Sequence, residues 1–128
     1  MSGNRVLLLL AIADATLRLI VERNLPRDTY KVVTANDGFA ASEKLEKADP
    51  VFALIIIDLA LPVMTGWQVL ANIAANKRYD DIPIIILAAD EAEMQAPDDL
   101  AGRRIAFLLK PFHVANLVSL VETTLPVE

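Results

Sequence analysis

An open α/β sandwich, built from five parallel strands with helices on both faces, is the architecture this sequence predicts, and three observations predict it. Five short apolar runs rich in β-branched residues recur along the chain. They are nearly continuous rather than alternating, as expected of strands covered on both faces. The stretches between them carry apolar residues at helical spacing.

Taken in order, the runs are Val6–Ala11, Tyr30–Thr34, Phe52–Ile57, Ile84–Leu87 and Ile105–Leu109, the second being the least continuous. Between them lie the helical stripes Leu17, Ile20, Val21, Leu25, then Ala41, Leu45, Ala48, then Val63, Trp67, Leu70, Ala74. A last helix follows from Val114, Leu117, Val118, Val121 and Leu125. The expected fourth helix falls in Asp90–Gly102, where Pro97 would remove a backbone donor and clash with the preceding turn. A short, kinked or late helix with Pro97 in its first turn is therefore expected. Right-handed crossovers then give a flavodoxin-like (βα)5 three-layer sandwich with strand order 2-1-3-4-5. The whole chain, 1–128, is expected to form one domain.

The chain is 55% hydrophobic, yet no apolar run approaches the ~20 residues needed to cross a bilayer. Met1-Ser2-Gly3-Asn4-Arg5 leads into the first run without a leader-like region ending in small residues, which favours the cytoplasm. The absence of cysteine excludes disulfides, thiolate nucleophiles and cysteine metal sites. Twelve basic against seventeen acidic residues give a net charge of −5, which argues against a nucleic-acid surface and for protein partners.

In such a sheet, ligands bind beyond the carboxyl ends of the strands where strand order switches. That directs attention to Ile12–Asp14, Asp58 and Ala88. Asp58 ends the apolar run Leu54-Ile55-Ile56-Ile57, so a buried strand delivers a carboxylate to this edge. A strand-end acid hydrogen-bonded locally would look the same. Pro62 and Gly66 follow at four and eight residues, and Lys110-Pro111-Phe112 follows the fifth run. With Arg18 in the first helix, these features resemble the response-regulator receiver family of two-component signalling over essentially the whole chain.

The resemblance implies that Asp58 accepts a phosphoryl group from a histidine kinase or phosphotransfer protein. It implies that Lys110 pairs with the carboxylate and then with the phosphate, a point-charge role suited to an ammonium. Family members place two adjacent acids after the first strand, and with the phosphoacceptor these hold Mg²⁺. Alignment through Arg18 puts Ile12 and Ala13 there, and neither side chain offers the oxygen ligands Mg²⁺ requires. Asp14, one position later, suits a helix N-cap better than a metal site. Asp14 and Asp58 are thus the remaining candidates for any metal, which would be held weakly, and no cofactor is expected. At the switch positions, Ala88 replaces the Ser or Thr that binds the phosphoryl oxygen, and Phe107 stands where Tyr is usual.

The expectation is therefore a degenerate, or pseudo-receiver, domain: a non-enzymatic interaction module in phosphorelay signalling, with a kinase, phosphotransfer protein or output domain as partner. Oligomeric state is left open, a homodimer included. The alternative is an atypical receiver still phosphorylated on Asp58. An Asp-nucleophile phosphatase is a poor third, because Ala60 stands where its second Asp would be. A flavin protein of this fold would need a richer phosphate loop than Ala11-Ile12-Ala13-Asp14-Ala15-Thr16. His113 reads as a solvated helix start, Trp67 as core or partial interface, and Arg103-Arg104 as a solvated loop or an acidic-partner contact.

Overall fold

The computed structural model describes residues 5–125. Residues 1–4 and 126–128 lie outside them, and with residues 1–4 goes most of the N-terminal stretch read for a leader. Five strands, β1 (Val6–Ala11), β2 (Tyr30–Ala35), β3 (Leu54–Asp58), β4 (Ile84–Ala88) and β5 (Ile105–Leu109), form one parallel sheet in the order β2-β1-β3-β4-β5. Four helices accompany it: α1 (Ala15–Asn24), α2 (Gly38–Lys47), α3 (Gly66–Ala74) and α4 (Val114–Thr124). No helix among the described residues is long and apolar enough to cross a membrane.

The alternation of side chains along each strand splits the core into two layers. Leu8, Leu10, Leu54, Ile56, Ile85 and Leu87 pack under α1 and α4 with Val21, Leu117 and Val121. Leu9, Ala11, Ile55, Ile57, Ile84 and Ile86 pack under α2 and α3 with Ala41, Leu45, Val69 and Ile73. Because both faces are covered, β3 and β4 are buried at every residue, which is why they read as unbroken apolar runs.

Helix starts follow from local polar side chains. Asp14 accepts a hydrogen bond from Leu17 N at 3.0 Å, and Asp37 one from Ala40 N at 2.7 Å. At α3 the Thr65 hydroxyl accepts from Gln68 N, while Gln68 Oε1 accepts from Thr65 N, a reciprocal capping box. Helix ends are satisfied from elsewhere in the fold. Arg78 donates to the carbonyls of Leu45 and Ala48 at the end of α2, and Arg103 to those of Ile73 and Ala74 at the end of α3.

The structure departs from the expected elements in three places. The β4–β5 crossover contains no α-helix. Asp90 caps a single 3₁₀ turn at Glu91–Glu93, and Pro97 precedes a second at Asp98–Leu100 instead of lying within a first helical turn. Four helices thus replace the expected five, because Pro97 interrupts the donor series that an α-helix would need there. Val63 is not on α3. It sits in the preceding turn, 84% exposed, with φ at 70°, so the buried face of α3 is Gly66, Val69, Leu70 and Ile73, and Trp67 is only half-buried. Ile20 faces outward on α1 at 42% exposure.

Two glycines fix the turn between β3 and α3. A Cβ on Gly66 would lie 2.5 Å from the Asp58 carbonyl oxygen, and one on Gly38 would overlap the Met64 carbonyl. The turn is therefore pressed between the starts of α2 and α3. Gly66→Ala should lower unfolding free energy by about 2 kcal/mol or more, since backbone must move to admit the methyl, measured by urea denaturation. Val63→Asn should act oppositely and raise stability by about 1 kcal/mol in the same assay, because a β-branched residue is strained in the left-handed region and Asn tolerates it.

Candidate functional site

β3 carries Asp58 to the carboxyl edge of the sheet between β1 and β4, the switch in strand order. Its side chain is 5% exposed and is the buried charge of an otherwise apolar interior. Two donors meet Oδ1: Lys110 Nζ at 2.7 Å and the Ala60 backbone N–H at 3.0 Å. No hydrogen bond to Oδ2 is found among the described residues. The amine that pairs with Asp58 is placed by the sheet itself. Lys110 N donates to Ala88 O at 2.8 Å, continuing the β4–β5 ladder one step past β5, and this aims the side chain across β4 at the end of β3. The Lys110 side chain is 26% exposed, so the pair is wet on one side and dry on the other.

The remaining residues expected at this edge are brought near it, but they are apolar or otherwise engaged. Ile12 is fully buried in the layer under α1 and α4, and Ala13 packs against the opposite layer. Arg18 donates to both of their carbonyls, at 2.7 and 3.3 Å, tying the β1–α1 loop to the helix that follows. Asp14 is exposed and spends an oxygen on Leu17 N. Ala88 is fully buried, and Phe107 is half-buried against the core. A divalent cation needs several oxygen ligands. Here Asp58 is the buried carboxylate and Lys110 already engages it, while Asp14 and Glu93 each spend an oxygen on a backbone amide; among the described residues no group of three His, Asp or Glu side chains could hold a metal. The residues present do not fit Mg²⁺.

Two residues matter here in ways the sequence reading did not assign. Glu93 Oε1 accepts the Ala89 N–H at 2.7 Å, so the amide just past β4, which lies at the ligand-facing edge, is bonded to an internal carboxylate. The Asp90-to-Glu93 spacing, an N-cap residue with an acid three positions on, was the available signal. Arg103, read as a loop or partner residue, is instead structural: besides α3 it holds Tyr79 O and pairs with Asp80 at 2.9 Å. Arg104 beside it is exposed, as is His113, which starts α4 without a side-chain cap. Next to Lys110 an apolar hollow of about 320 Å³ is lined by Leu17, Ala89, Lys110, Pro111 and Phe112.

The fold and this edge define a class: a doubly wound parallel α/β protein with one buried carboxylate at its switch point, paired to a lysine from the last strand. Residues 9–122 match the family described as the response regulator receiver domain, and the chain belongs to that family. It is 30% identical over 118 residues to the response regulator receiver protein CpdR of Brucella abortus, covering 92% of this chain and 95% of that one. Its fold is similar to the chemotaxis response regulator CheY4 of Vibrio cholerae, with a TM-score of 0.81 and 28% identity over 95% of this chain and 100% of that one. It is also similar to the receiver domain of the sensor histidine kinase PA1611 of Pseudomonas aeruginosa, which has a magnesium ion coordinated in its active-site cleft; the TM-score is 0.74, with 26% identity over 94% of this chain and 97% of that domain. The curated relatives differ in length, and the chain spans from 95% of one to 24% of another.

Removing one partner of the Asp58–Lys110 pair leaves the other without its counter-charge. Lys110→Met is expected to cost about 2–4 kcal/mol, whereas Lys110→Met combined with Asp58→Asn should cost clearly less than the sum of the two single changes. A double-mutant cycle by chemical denaturation measures this, and additive losses would show that the pair is not coupled.

Proposed function

We propose that this chain is a degenerate receiver: one domain, cytoplasmic and non-enzymatic, that serves two-component signalling as a protein-interaction module whose state does not depend on Mg²⁺-assisted phosphorylation. The observation that carries this reading is the composition of the switch-point edge. Where the family's metal acids stand, Ile12 is buried in the core and Ala13 is methyl. Phosphoryl transfer to a carboxylate brings two anions together, and without a cation ligated there only Lys110 offsets their repulsion.

The signal-reading side of the edge points the same way. A receiver reports its phosphoryl group through a hydroxyl that follows it inward, and the Ala88 methyl has no atom to do so. Glu93 already occupies the Ala89 amide with a carboxylate, which would repel an arriving phosphoryl group. Asp58 and Lys110 then hold one conformation, and the apolar hollow beside Leu17, Pro111 and Phe112 offers a contact surface to a kinase, phosphotransfer or output partner.

A second reading has one observation in its favour. Both identified bonds to the Asp58 carboxylate fall on Oδ1, which leaves Oδ2 for attack on a phosphohistidine if a dedicated partner supplied the missing positive charge. Intact mass after incubation with a small phosphodonor, with and without Mg²⁺ and with Asp58→Asn as control, separates the two. The expected result is no adduct in either condition. A Mg²⁺-dependent gain of one phosphoryl group that disappears in Asp58→Asn would overturn the degenerate reading, and an adduct seen only with a partner kinase would favour the second.

A further inference from the structure

At the opposite end of the sheet from Asp58, where β1 and β2 begin, four basic residues gather around one hollow. A cavity of about 510 Å³ is lined by Arg5, Arg23, Arg27 and Lys31, with Glu22 and Tyr30 among its other walls. Four of the chain's twelve Lys and Arg residues thus share one hollow with one of its seventeen acids, in a protein of net charge −5. None of the four cations lies within ion-pair distance of a carboxylate among the described residues, where the two ion pairs found are Arg103–Asp80 and Lys110–Asp58. Like charges held close repel one another, and an anion bound among them would relieve that repulsion.

We propose that this cavity is a binding site for a small polyanion of the phosphate class, separate from the switch-point edge. Three separate segments supply the charges, Arg5 before β1, Arg23 from the last turn of α1, and Arg27 and Lys31 from the α1–β2 turn and β2, so a folded sheet edge is needed to assemble it. Arg5 is held in place by donating to the Arg27 carbonyl at 3.3 Å. Three of the four are arginines, whose planar forks bind two phosphate oxygens at once. The volume falls in the range of small-molecule sites, and the walls are concave, which favours a compact polyphosphate over an extended acidic peptide. Tyr30 lines the same hollow, and burial first, then the nearby Glu122, hold its phenol above the usual tyrosine range.

Isothermal titration calorimetry at low salt, with tripolyphosphate as the probe and ATP in a parallel arm, tests the site. Saturable one-to-one binding is expected, weakened by salt and by at least about tenfold in the Arg23→Gln/Arg27→Gln variant. A Lys44→Gln/Lys47→Gln variant, which removes two exposed cations of α2, should bind as the parent does. Equal affinity for the two probes would mean that the phosphates alone are read, and tighter binding of ATP would mean that the nucleoside is read as well; either supports the site. Both variants are checked by thermal melting, since the substituted side chains are exposed. Absence of saturable binding at low salt, or equal weakening in the two variants, would overturn the proposal. Asp58→Asn should leave the titration unchanged, so the result is independent of what Asp58 does.

Discussion

A single buried carboxylate at the end of an otherwise wholly apolar strand is the constraint around which this molecule is arranged. Transfer of an unpaired charge into such an interior costs several kcal/mol, so Asp58 can occupy that place only if a cation and an amide donor come to it. Both do, the cation from a distant strand and the amide from the turn two residues on. Lys110 arrives because β5 is in register with β4, and the Ala60 amide arrives because Gly66 lets α3 approach the β3 backbone. Sheet register, glycine placement and the charge pair are one coupled arrangement rather than three independent features.

Around that pair the same edge is built from apolar packing and backbone hydrogen bonds. Lys110 and the Ala60 amide hold Asp58 in place, and the loop after β1 meets this edge with apolar side chains. Ile12 and Ala13 pack into the two core layers there, and Arg18 secures the loop through their carbonyls. Burial and backbone hydrogen bonding both contribute to stability at this end of the molecule.

Much of this was legible in the sequence because a buried parallel strand leaves a strong local trace. Ile84–Leu87 and Leu54–Ile57 could hardly be read otherwise, and the strand order followed from the alternation of elements. The pairing of Asp58 with Lys110, 52 residues apart, came from the resemblance and not from periodicity. What stayed hidden depended on contacts between distant segments or on backbone geometry. Val63 has the right spacing from Trp67 for a helix face, but a left-handed turn intervenes. Arg103 looks like a loop charge until the carbonyl ends of α3 and Tyr79 are placed around it. Glu93 carried a capping signal, yet which amide it would reach was set by the turn that Pro97 permits in place of a helix.

That replacement has a consequence for how the molecule breathes. Elsewhere the crossovers are α-helices, whose internal hydrogen bonds must be lost together before the segment can open. The β4–β5 crossover holds itself by two short turns and is fastened through Leu100 and Met94 in the core and, at its far end, through the Arg103 side chain. Its backbone amides should exchange with solvent as a local unit, well before those of β3 and β4, because opening it exposes little apolar surface and leaves the five-stranded ladder intact. A partner that grips this face would meet a segment whose shape costs little to change, beside a sheet that does not change at all.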